Sequence, residues 1–355
     1  MRPFIAESLS SALNQDYTGP LEYIVLDDAS TDGSVDEIRK VLANEARGKE
    51  ARLFIHRKNC GIAESMDELL SLCRGDWLVW MDGDDIYRSD RCTVAAELIA
   101  RYPNSMMIAS SMENVDASGK VFSRRSYADS DGNGEALPET LVLASPEERV
   151  RGYLGESGGA RISGYGTAMC LNRSLWKRWG ALTGADFSDR CAQDSTWELR
   201  AYLSGAVVGD ARIACSYRSH AGNLYNRACR DSLSGHRQHE LFWSRNQRMP
   251  LANITRQLLD IERAVREQGL SDWPREDLLR LREKLLKERE GCRMRDGWWD
   301  IPWYKRVIRS LRYSKRVPPH LKRWPLARLL PLTLFILLKD YVKPRLIRPL
   351  AQPED

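Results

Sequence analysis

The chain has 355 residues, of which 43% are hydrophobic and 29% are charged. This composition allows a sizeable core and excludes disordered, collagen-like and disulfide-scaffold proteins. The length predicts two domains, or one large domain with an appendage. Eight cysteines are scattered without a CxxC pair or a Cys/His zinc spacing, a pattern that predicts reduced thiols in a cytoplasmic protein. The first residues contain no uninterrupted apolar core, so we expect no secretory signal.

The charge of the chain is distributed unevenly. Residues 301–355 carry 13 Lys or Arg and 3 Asp or Glu, a net charge of +10, whereas the first 300 residues carry a net charge of −5. A basic tail on an acidic body predicts an anionic partner, either a membrane surface or a nucleic acid.

Helix and strand patterns alternate over the first hundred residues. Ser34 and Glu37 have the spacing of a capping box at a helix start. Strand–helix alternation with short loops predicts an α/β fold with a mostly parallel central sheet flanked by helices. The predicted helices are 3–15, a helix from Ser34 and about 62–73, and the predicted strands are 21–26, 51–56 and 77–81.

The pattern becomes less regular after residue 100. Residues 117–146 are rich in Gly, Ser, Asp and Pro and are predicted to form loops. From about residue 235 the pattern is helical, and Gly291 is a predicted helix end. We therefore divide the chain into an α/β domain (1–225), a helical extension (226–300) and a basic amphipathic tail (301–355). Other elements predicted here are a strand over 164–172, a helix over 175–179, a helix beginning near Asp194 and a helix beginning near Asp272 and Pro274.

The tail is predicted to lie against a membrane without crossing it. Its longest uncharged apolar run, 329–338, has 10 residues, whereas a spanning helix needs about 20. Trp and Tyr beside Lys and Arg are typical of a bilayer interface, so residues 298–348 predict peripheral contact with the inner membrane face and no nucleic-acid partner. The alternative is a helix that packs on the rest of the protein and exposes a basic face.

Two predicted strands end in acidic residues. Asp27 and Asp28 follow one strand, and Asp82, Asp84 and Asp85 follow another. Because the carboxyl ends of parallel strands meet at one edge of a sheet, these carboxylates are expected to lie close together. Carboxylate oxygens suit Mg²⁺ or Mn²⁺ bound together with substrate phosphates. The alternative for Asp27 and Asp28 alone is ordinary turn chemistry.

These motifs belong to an ordered series that resembles the inverting family 2 glycosyltransferases of the type A nucleotide-sugar fold. The resemblance covers about residues 3–225. The matching segments are SALNQDYTGPLEYIVLDDASTDGS (11–34), HRKNCGI (56–62), GDWLVWMDGDDIYRSDR (75–91), GYGTAMCLNRS (164–174), AQDSTWELR (192–200) and YRSH (217–220).

The resemblance implies a metal-assisted transfer of a sugar from a nucleotide-diphosphate donor to a saccharide or lipid-linked acceptor, in the synthesis of a polysaccharide. It implies that Asp194 is the catalytic base, and that Mg²⁺ or Mn²⁺ assists the leaving group. The residues implied for the nucleotide-sugar are Asp28, Asn59, Gly61 and Asp82, and those implied for the metal are Asp84, Asp85 and His220. Trp197 is implied for the acceptor region, and the alternative for this residue is core packing. The alternative for His220 is an ordinary surface histidine.

The chain departs from the family at three positions. The family often has Arg-Asn where this chain has Met66-Asp67, and Gln193 stands where Glu is common. Family members also begin with a strand of the type V-S-V-I-I-P, whereas this chain opens inside the helix that normally follows it. We expect two strands of the sheet to lack a partner there, and we interpret the difference as a start codon placed too far downstream, rather than as a truncation or a degenerate gene.

Two other functions are consistent with the sequence. A nucleotidyltransferase has a similar alternating sheet, but such enzymes usually carry a Gly-rich, basic first loop, which this chain lacks. A catalytically inactive, truncated scaffold or binding protein at a membrane surface is the alternative outside the enzymes. The sequence does not distinguish the donor sugar, the acceptor, the linkage or the oligomeric state.

Overall fold

The computed structural model describes residues 1–129, 137–183, 193–220, 223, 248–296, 298, 301–302, 304–306 and 308. The helices of this part of the chain are α1 (Arg2–Leu13), α2 (Ser34–Asn44), α3 (Ile62–Leu72), α4 (Arg91–Arg101), α5 (Pro146–Leu154), α6 (Ser174–Trp179), α7 (Gln193–Tyr202), α8 (Arg248–Arg266) and α9 (Arg275–Arg295). Its strands are β1 (Ile24–Asp27), β2 (Arg52–Ile55), β3 (Trp77–Val79), β4 (Ile86–Tyr87), β5 (Ser105–Val115), β6 (Val121–Arg125), β7 (Ala128–Asp129), β8 (Thr140–Leu143), β9 (Arg161–Ile162), β10 (Met169–Asn172) and β11 (Ala206–Arg218).

Strands β1 and β2 form a small parallel sheet of their own within the described residues. Helix α1 packs on this unit because Ile5, Leu9 and Leu13, at helical spacing, are buried together with Ile38 of α2. Asp28 directly follows the carboxyl end of β1, and the segment after β2 leads to the start of α3.

The central sheet has the strand order β3–β10–β5–β11–β4, with β6 added to β5 and β8 added to β11. Its core is the long pair β5 and β11, in which Met107, Ile108, Val207 and Val208 are almost completely buried. Strands β3 and β4 lie at opposite ends of this order and are joined in sequence by the segment 80–85. This short connection carries the second acidic cluster.

The α/β class predicted from the sequence is confirmed, but the sheet is mixed rather than mostly parallel. Strand β5 runs parallel to β11, whereas β10 runs antiparallel to both β3 and β5, and β4, β6 and β8 are also antiparallel to their partners. The prediction failed because the strand–helix alternation is confined to the first hundred residues. Later strands return directly, as in the tight turn at Asp116–Gly119 that joins β5 to β6.

Two predictions about helix ends are wrong. Ser34 is the first residue of α2 rather than its cap, since the carboxylate of Asp32 accepts the Ser34 amide (3.0 Å) and hydroxyl (2.5 Å). Gly291 does not end α9, which continues to Arg295 with Cys292 and Met294 buried. The predicted loop region 117–146 also contains the strands β6, β7 and β8.

Helices α8 and α9 belong to the same hydrophobic core as α7. Ile254, Leu258 and Ile261 of α8 and Leu281 of α9 are buried in one cluster with Trp197. Most of the predicted tail, and residues 224–247, lie outside the described residues. No helix in the described ranges is long and apolar enough to cross a membrane.

Candidate active site

Asp28 closes the N-terminal end of α3. It follows β1 directly, and its two carboxylate oxygens accept hydrogen bonds from the backbone amides of Cys60 (2.7 Å) and Gly61 (2.8 Å). Gly61 has a φ of +87°, which only glycine adopts without strain. The side-chain amide of Asn59 donates to the Asp28 carbonyl (3.2 Å). The structure therefore joins Asp28, Asn59 and Gly61, all three predicted for the nucleotide-sugar, by hydrogen bonds.

The imidazole of His56 lies between two carboxylates. Its Nδ1 is 2.8 Å from Asp28 Oδ1, and its Nε2 is 2.7 Å from Glu68 Oε2. Hydrogen bonding to Asp28 and then to Glu68 raises the pKa of His56, so the doubly protonated ring that donates to both is favoured. Burial alone raises the pKa of Asp28, but hydrogen bonds from the Cys60 amide and from His56 bring it below its usual value.

Asp28, His56 and Cys60 are, among the described residues, the one group of three such side chains close enough to share a metal ion. Both ring nitrogens of His56, however, already contact carboxylates at hydrogen-bond distance, and the Asp28 oxygens accept backbone amides. The polar atoms of this group are therefore satisfied without an ion. We interpret it as a hydrogen-bonded cluster that fixes Asp28.

The segment between β3 and β4 carries the second acidic cluster. The Asp85 amide donates to the Asp82 carbonyl (3.2 Å), and the Ser8 hydroxyl of α1 donates to the same carbonyl (3.2 Å). Helix α1 thus holds this turn. Asp82 is open to solvent, whereas Asp84 and Asp85 are buried.

Asp84 is in direct contact with His220. His220 Nε2 lies 2.9 Å from Asp84 Oδ2, and the Asn223 side chain donates to the same oxygen (3.1 Å). The ring of His220 packs on Phe4 of α1, with ring centroids 4.5 Å apart. The structure therefore brings the late histidine of the chain into contact with the acidic turn, 136 residues away in sequence.

Asp85 faces away from this contact. Its Oδ1 accepts the backbone amide of Arg218 (2.9 Å), and its Oδ2 has no hydrogen-bond partner among the described residues. Burial, followed by the neighbouring carboxylate of Asp82, raises the pKa of Asp85 to about 8. Asp85 thus ties β11 to the acidic turn.

Asp194 lies in the first turn of α7, close enough to the acidic turn for its charge to act on Asp82. Its Oδ1 accepts the amide of Ser195 (3.0 Å), and burial raises its pKa. The surrounding protein, followed by the charges of Asp84 and Asp194, raises the pKa of Asp82. Carboxylates from two separate elements therefore act on one another.

Trp197 is a core residue in this structure. Its side chain is 1% exposed, and the Arg200 guanidinium lies 4.6 Å from the ring centroid. The core-packing alternative is the one that this burial favours, because an acceptor cannot touch a side chain enclosed on all sides.

Sequence reasoning missed two acidic residues that shape the site. Asp67 accepts the amides of Leu182 (2.8 Å) and Thr183 (2.7 Å), and so holds the segment that follows α6. Glu198, one turn after Asp194, pairs with Arg161 at 2.6 Å and is buried. In the sequence, Asp67 stands out because the family often has Arg-Asn where this chain has Met66-Asp67. Glu198 stands out because its carboxylate follows that of Asp194 by one helical turn.

Comparison with known proteins shows which proteins this chain resembles. The family model "Glycosyl transferase family 2" matches residues 2–153. The chain is 29% identical over 120 residues to chondroitin synthase of Escherichia coli, covering 34% of this chain and 17% of that protein. It is 26% identical over 212 residues to the uncharacterized glycosyltransferase EpsJ of Bacillus subtilis, covering 59% of this chain and 55% of that protein. The chain thus spans less than two thirds of either relative.

Among solved structures, S. aureus TarS 1–349 in complex with UDP superposes with a TM-score of 0.52 at 14% identity, covering 96% of this chain and 88% of that one. This likeness concerns the fold, which is the type A glycosyltransferase fold. The family match covers residues 2–153, less than half of the chain, and with the curated relatives it supports a relationship of this segment to glycosyltransferase family 2.

Proposed function

We propose that this protein transfers a sugar from a nucleoside-diphosphate donor to a hydroxyl group of a saccharide or lipid-linked acceptor, with inversion. The observation that carries the proposal is the contact between His220 Nε2 and Asp84 Oδ2 (2.9 Å), which brings the acidic turn and the segment after β11 together. The charges of Asp84 and Asp194 both act on Asp82, so carboxylates of the acidic turn and of α7 lie near one another. Such a group of carboxylates suits a cationic metal, a diphosphate and a proton acceptor side by side.

The carboxylates of the acidic turn are hard oxygen ligands of the kind that a divalent cation takes. Carboxylates that raise one another's pKa lower their mutual repulsion when a cation joins them, and hard oxygen ligands suit Mg²⁺ or Mn²⁺. We assign Asp84 and His220, which touch each other, as side chains that hold the ion, with Asp85 behind them. A bound ion supplies positive charge beside the departing diphosphate.

The cluster around Asp28 is proposed to bind the nucleotide. Asp28 is held ionised by the Cys60 and Gly61 amides, so it accepts hydrogen bonds from N–H groups of a base. Asn59 and Gly61 form the adjoining loop, where a backbone without a Cβ allows close approach of the donor. Asp82, which is open to solvent at the cleft floor, is proposed to contact the ribose or diphosphate.

Asp194 is proposed as the general base. The acceptor hydroxyl loses its proton to Asp194 as its oxygen bonds to the anomeric carbon, while the bond from that carbon to the diphosphate oxygen breaks on the opposite face. Burial raises the pKa of Asp194, which brings it closer to the working pH and makes it a better proton acceptor.

The base assignment predicts that Asp194→Asn abolishes turnover. We expect release of nucleoside diphosphate to fall by about 10²–10⁴-fold, because a general base contributes roughly this factor. Release is measured with UDP-glucose, UDP-N-acetylglucosamine and GDP-mannose in Mg²⁺ or Mn²⁺, and after chelation with EDTA. Binding of UDP, measured by calorimetry, is expected to change by less than about threefold, since Asp194 lies outside the cluster proposed for the nucleotide.

Asp36→Asn is the matched control, because Asp36 lies in the first turn of α2 and is exposed. This variant should release nucleoside diphosphate at the wild-type rate. Near-normal turnover of Asp194→Asn would contradict the base assignment. A wild-type protein that releases nothing with any donor would favour the inactive scaffold, whereas pyrophosphate release from a nucleoside triphosphate would favour the nucleotidyltransferase.

The choice of probes follows the relatives. The solved TarS structure contains UDP, and a Bradyrhizobium relative that is 31% identical over 90 residues is an N-acetylglucosaminyltransferase. UDP-N-acetylglucosamine is therefore the first donor to test. We also propose peripheral contact of the basic tail with an anionic membrane on the cytoplasmic side, which would bring the cleft to a lipid-linked acceptor.

A further inference from the structure

Helix α8 makes polar contacts with α7, the helix that carries Asp194, and both helices lie outside the segment 2–153 that matches the family model. We propose that α8 positions Asp194, and that Gln257 is the positioning residue. This inference rests on the proposed function, in which Asp194 is the base. It makes the helical extension a functional part of the catalytic unit.

A buried ion pair joins α7 to α8. Arg200 Nε lies 2.7 Å from Asp260 Oδ2, Arg200 Nη2 lies 3.3 Å from Asp260 Oδ1, and both side chains are fully buried. Arg256 adds a second guanidinium to the same carboxylate at 3.0 Å. An enclosed pair with two guanidinium contacts fixes the relative height and rotation of the two helices, because any shift would leave a buried charge unpaired.

The same arginine contacts the loop 180–183, which follows α6 directly. Arg200 donates to the carbonyls of Gly180 (2.8 Å) and Ala181 (3.4 Å). The next two amides along the chain, those of Leu182 and Thr183, donate to Asp67 of α3. The loop is therefore held from α7 on one side and from α3 on the other.

Gln257 connects α8 to the proposed base through Ser195. Its side-chain amide donates to the carbonyl of Ser195 (3.0 Å), and the amide of Ser195 donates to the Asp194 carboxylate (3.0 Å). Gln257 is 6% exposed, so the bond lies in an enclosed environment. Ser195 is thus bonded on its carbonyl side to α8 and on its amide side to the base. A displacement of this residue therefore moves the carboxylate of Asp194.

The test replaces Gln257 by methionine, which keeps the length of the side chain and removes its N–H donors. Nucleoside-diphosphate release is measured with the donor on which the wild type is most active, well below the unfolding midpoint of each protein. We expect kcat to fall by about tenfold, because small misplacements of catalytic groups have effects of this size. The donor KM should change by less than about twofold, since Gln257 does not touch the donor cluster.

Glu267→Gln is the matched control. Glu267 lies just past the end of the same helix and forms an exposed pair with Arg263, far from Ser195 in sequence and contact. Its kcat and KM should equal those of the wild type. The conservative variant Gln257→Asn, with a donor on a shorter side chain, should fall between Gln257→Met and the wild type in kcat.

A wild-type kcat in Gln257→Met would overturn the inference. The inference would also be overturned if Gln257→Met and Gln257→Asn lost the same amount of kcat and the same amount of thermal stability, because that result would indicate a purely structural role. A failure of the proposed function is distinguished by the wild type. If the wild type itself releases no nucleoside diphosphate from any donor, both the proposed function and this inference are wrong.

Discussion

His56 controls the state of Asp28, because each of its ring nitrogens contacts a carboxylate. The imidazolium form donates to both Asp28 and Glu68, and the raised pKa keeps this form at higher pH than in a free histidine. The stabilisation is fully present below the unfolded pKa of about 6.5 and is lost as pH rises through the higher folded pKa. Asp28 is the proposed nucleotide contact, so nucleotide binding should follow the same titration.

We therefore predict that UDP binds about three- to tenfold more weakly at about pH 9 than at about pH 6, a change within the range of one lost charged hydrogen bond. Calorimetric titration in the two buffers measures it. His56→Gln should bind weakly at both pH values and show little pH dependence. Glu68→Gln should move the transition to lower pH, because one of the two carboxylates that raise the His56 pKa is gone. An unchanged profile in both variants would contradict this role.

Some residue roles could not be predicted from the sequence. Asp28 and Asp84 belong to motifs whose spacing is local, so their place at the ends of strands follows from a short segment of chain. Asp67 has partners 115 and 116 residues away, and Asp85 has a partner 133 residues away. Only the folded chain brings such partners together, and no local pattern encodes them.

At the scale of elements, α7 is the helix through which the site and the C-terminal region are coupled. Its N-terminal turn carries Asp194, and its middle carries Trp197, Glu198 and Arg200, all buried. Glu198 pairs with Arg161 of β9, while Arg200 pairs with Asp260 of α8. The helix is therefore fastened on two sides by charged side chains within an otherwise apolar core.

We predict that Asp260→Asn lowers the free energy of unfolding by about 3–5 kcal/mol, because removing one partner leaves a buried guanidinium charge uncompensated. Denaturant unfolding followed by circular dichroism measures this. Glu267→Gln, which removes an exposed carboxylate just beyond the same helix, should unfold at the wild-type midpoint. Equal stability of the two variants would show that the Arg200–Asp260 pair does not hold α8 in place.

The sheet illustrates a second limit at this scale. The elements β1, α2, β2, α3 and β3 were predicted within a few residues, because their apolar periodicities are local. The long strands β5 and β11, which form the centre of the sheet, escaped prediction. Strand β5 (SMMIASSMENV) has almost no polar–apolar alternation, since it is buried on both faces over most of its length.

At the scale of the whole molecule, the charge asymmetry separates an acidic catalytic body from a basic tail. The tail carries a net charge of +10, and each Lys or Arg near an anionic bilayer contributes about 1 kcal/mol to binding. We predict that the full chain floats with liposomes of phosphatidylglycerol and phosphatidylcholine at low salt. It should remain at the bottom of the gradient with phosphatidylcholine alone.

Replacing Lys322 and Arg323 by glutamine should weaken this partition by about tenfold or more, as expected for the loss of two such charges. Lys40→Gln together with Arg39→Gln, an equal loss of charge on the exposed face of α2, is the matched control and should float like the wild type. Equal flotation of the tail variant and the wild type would contradict the role of the tail.

The sequence alone determined which residues could perform chemistry and which short segments carry them: acidic residues after two strands, an aspartate at a helix start, and a basic tail. These properties follow from spacing along a few turns of chain. The tertiary structure decided how strands run, that Asp84 meets His220, and that α8 supports the turn of Asp194. Such pairings join segments more than fifty residues apart, so they depend on how the whole core packs and not on any local pattern.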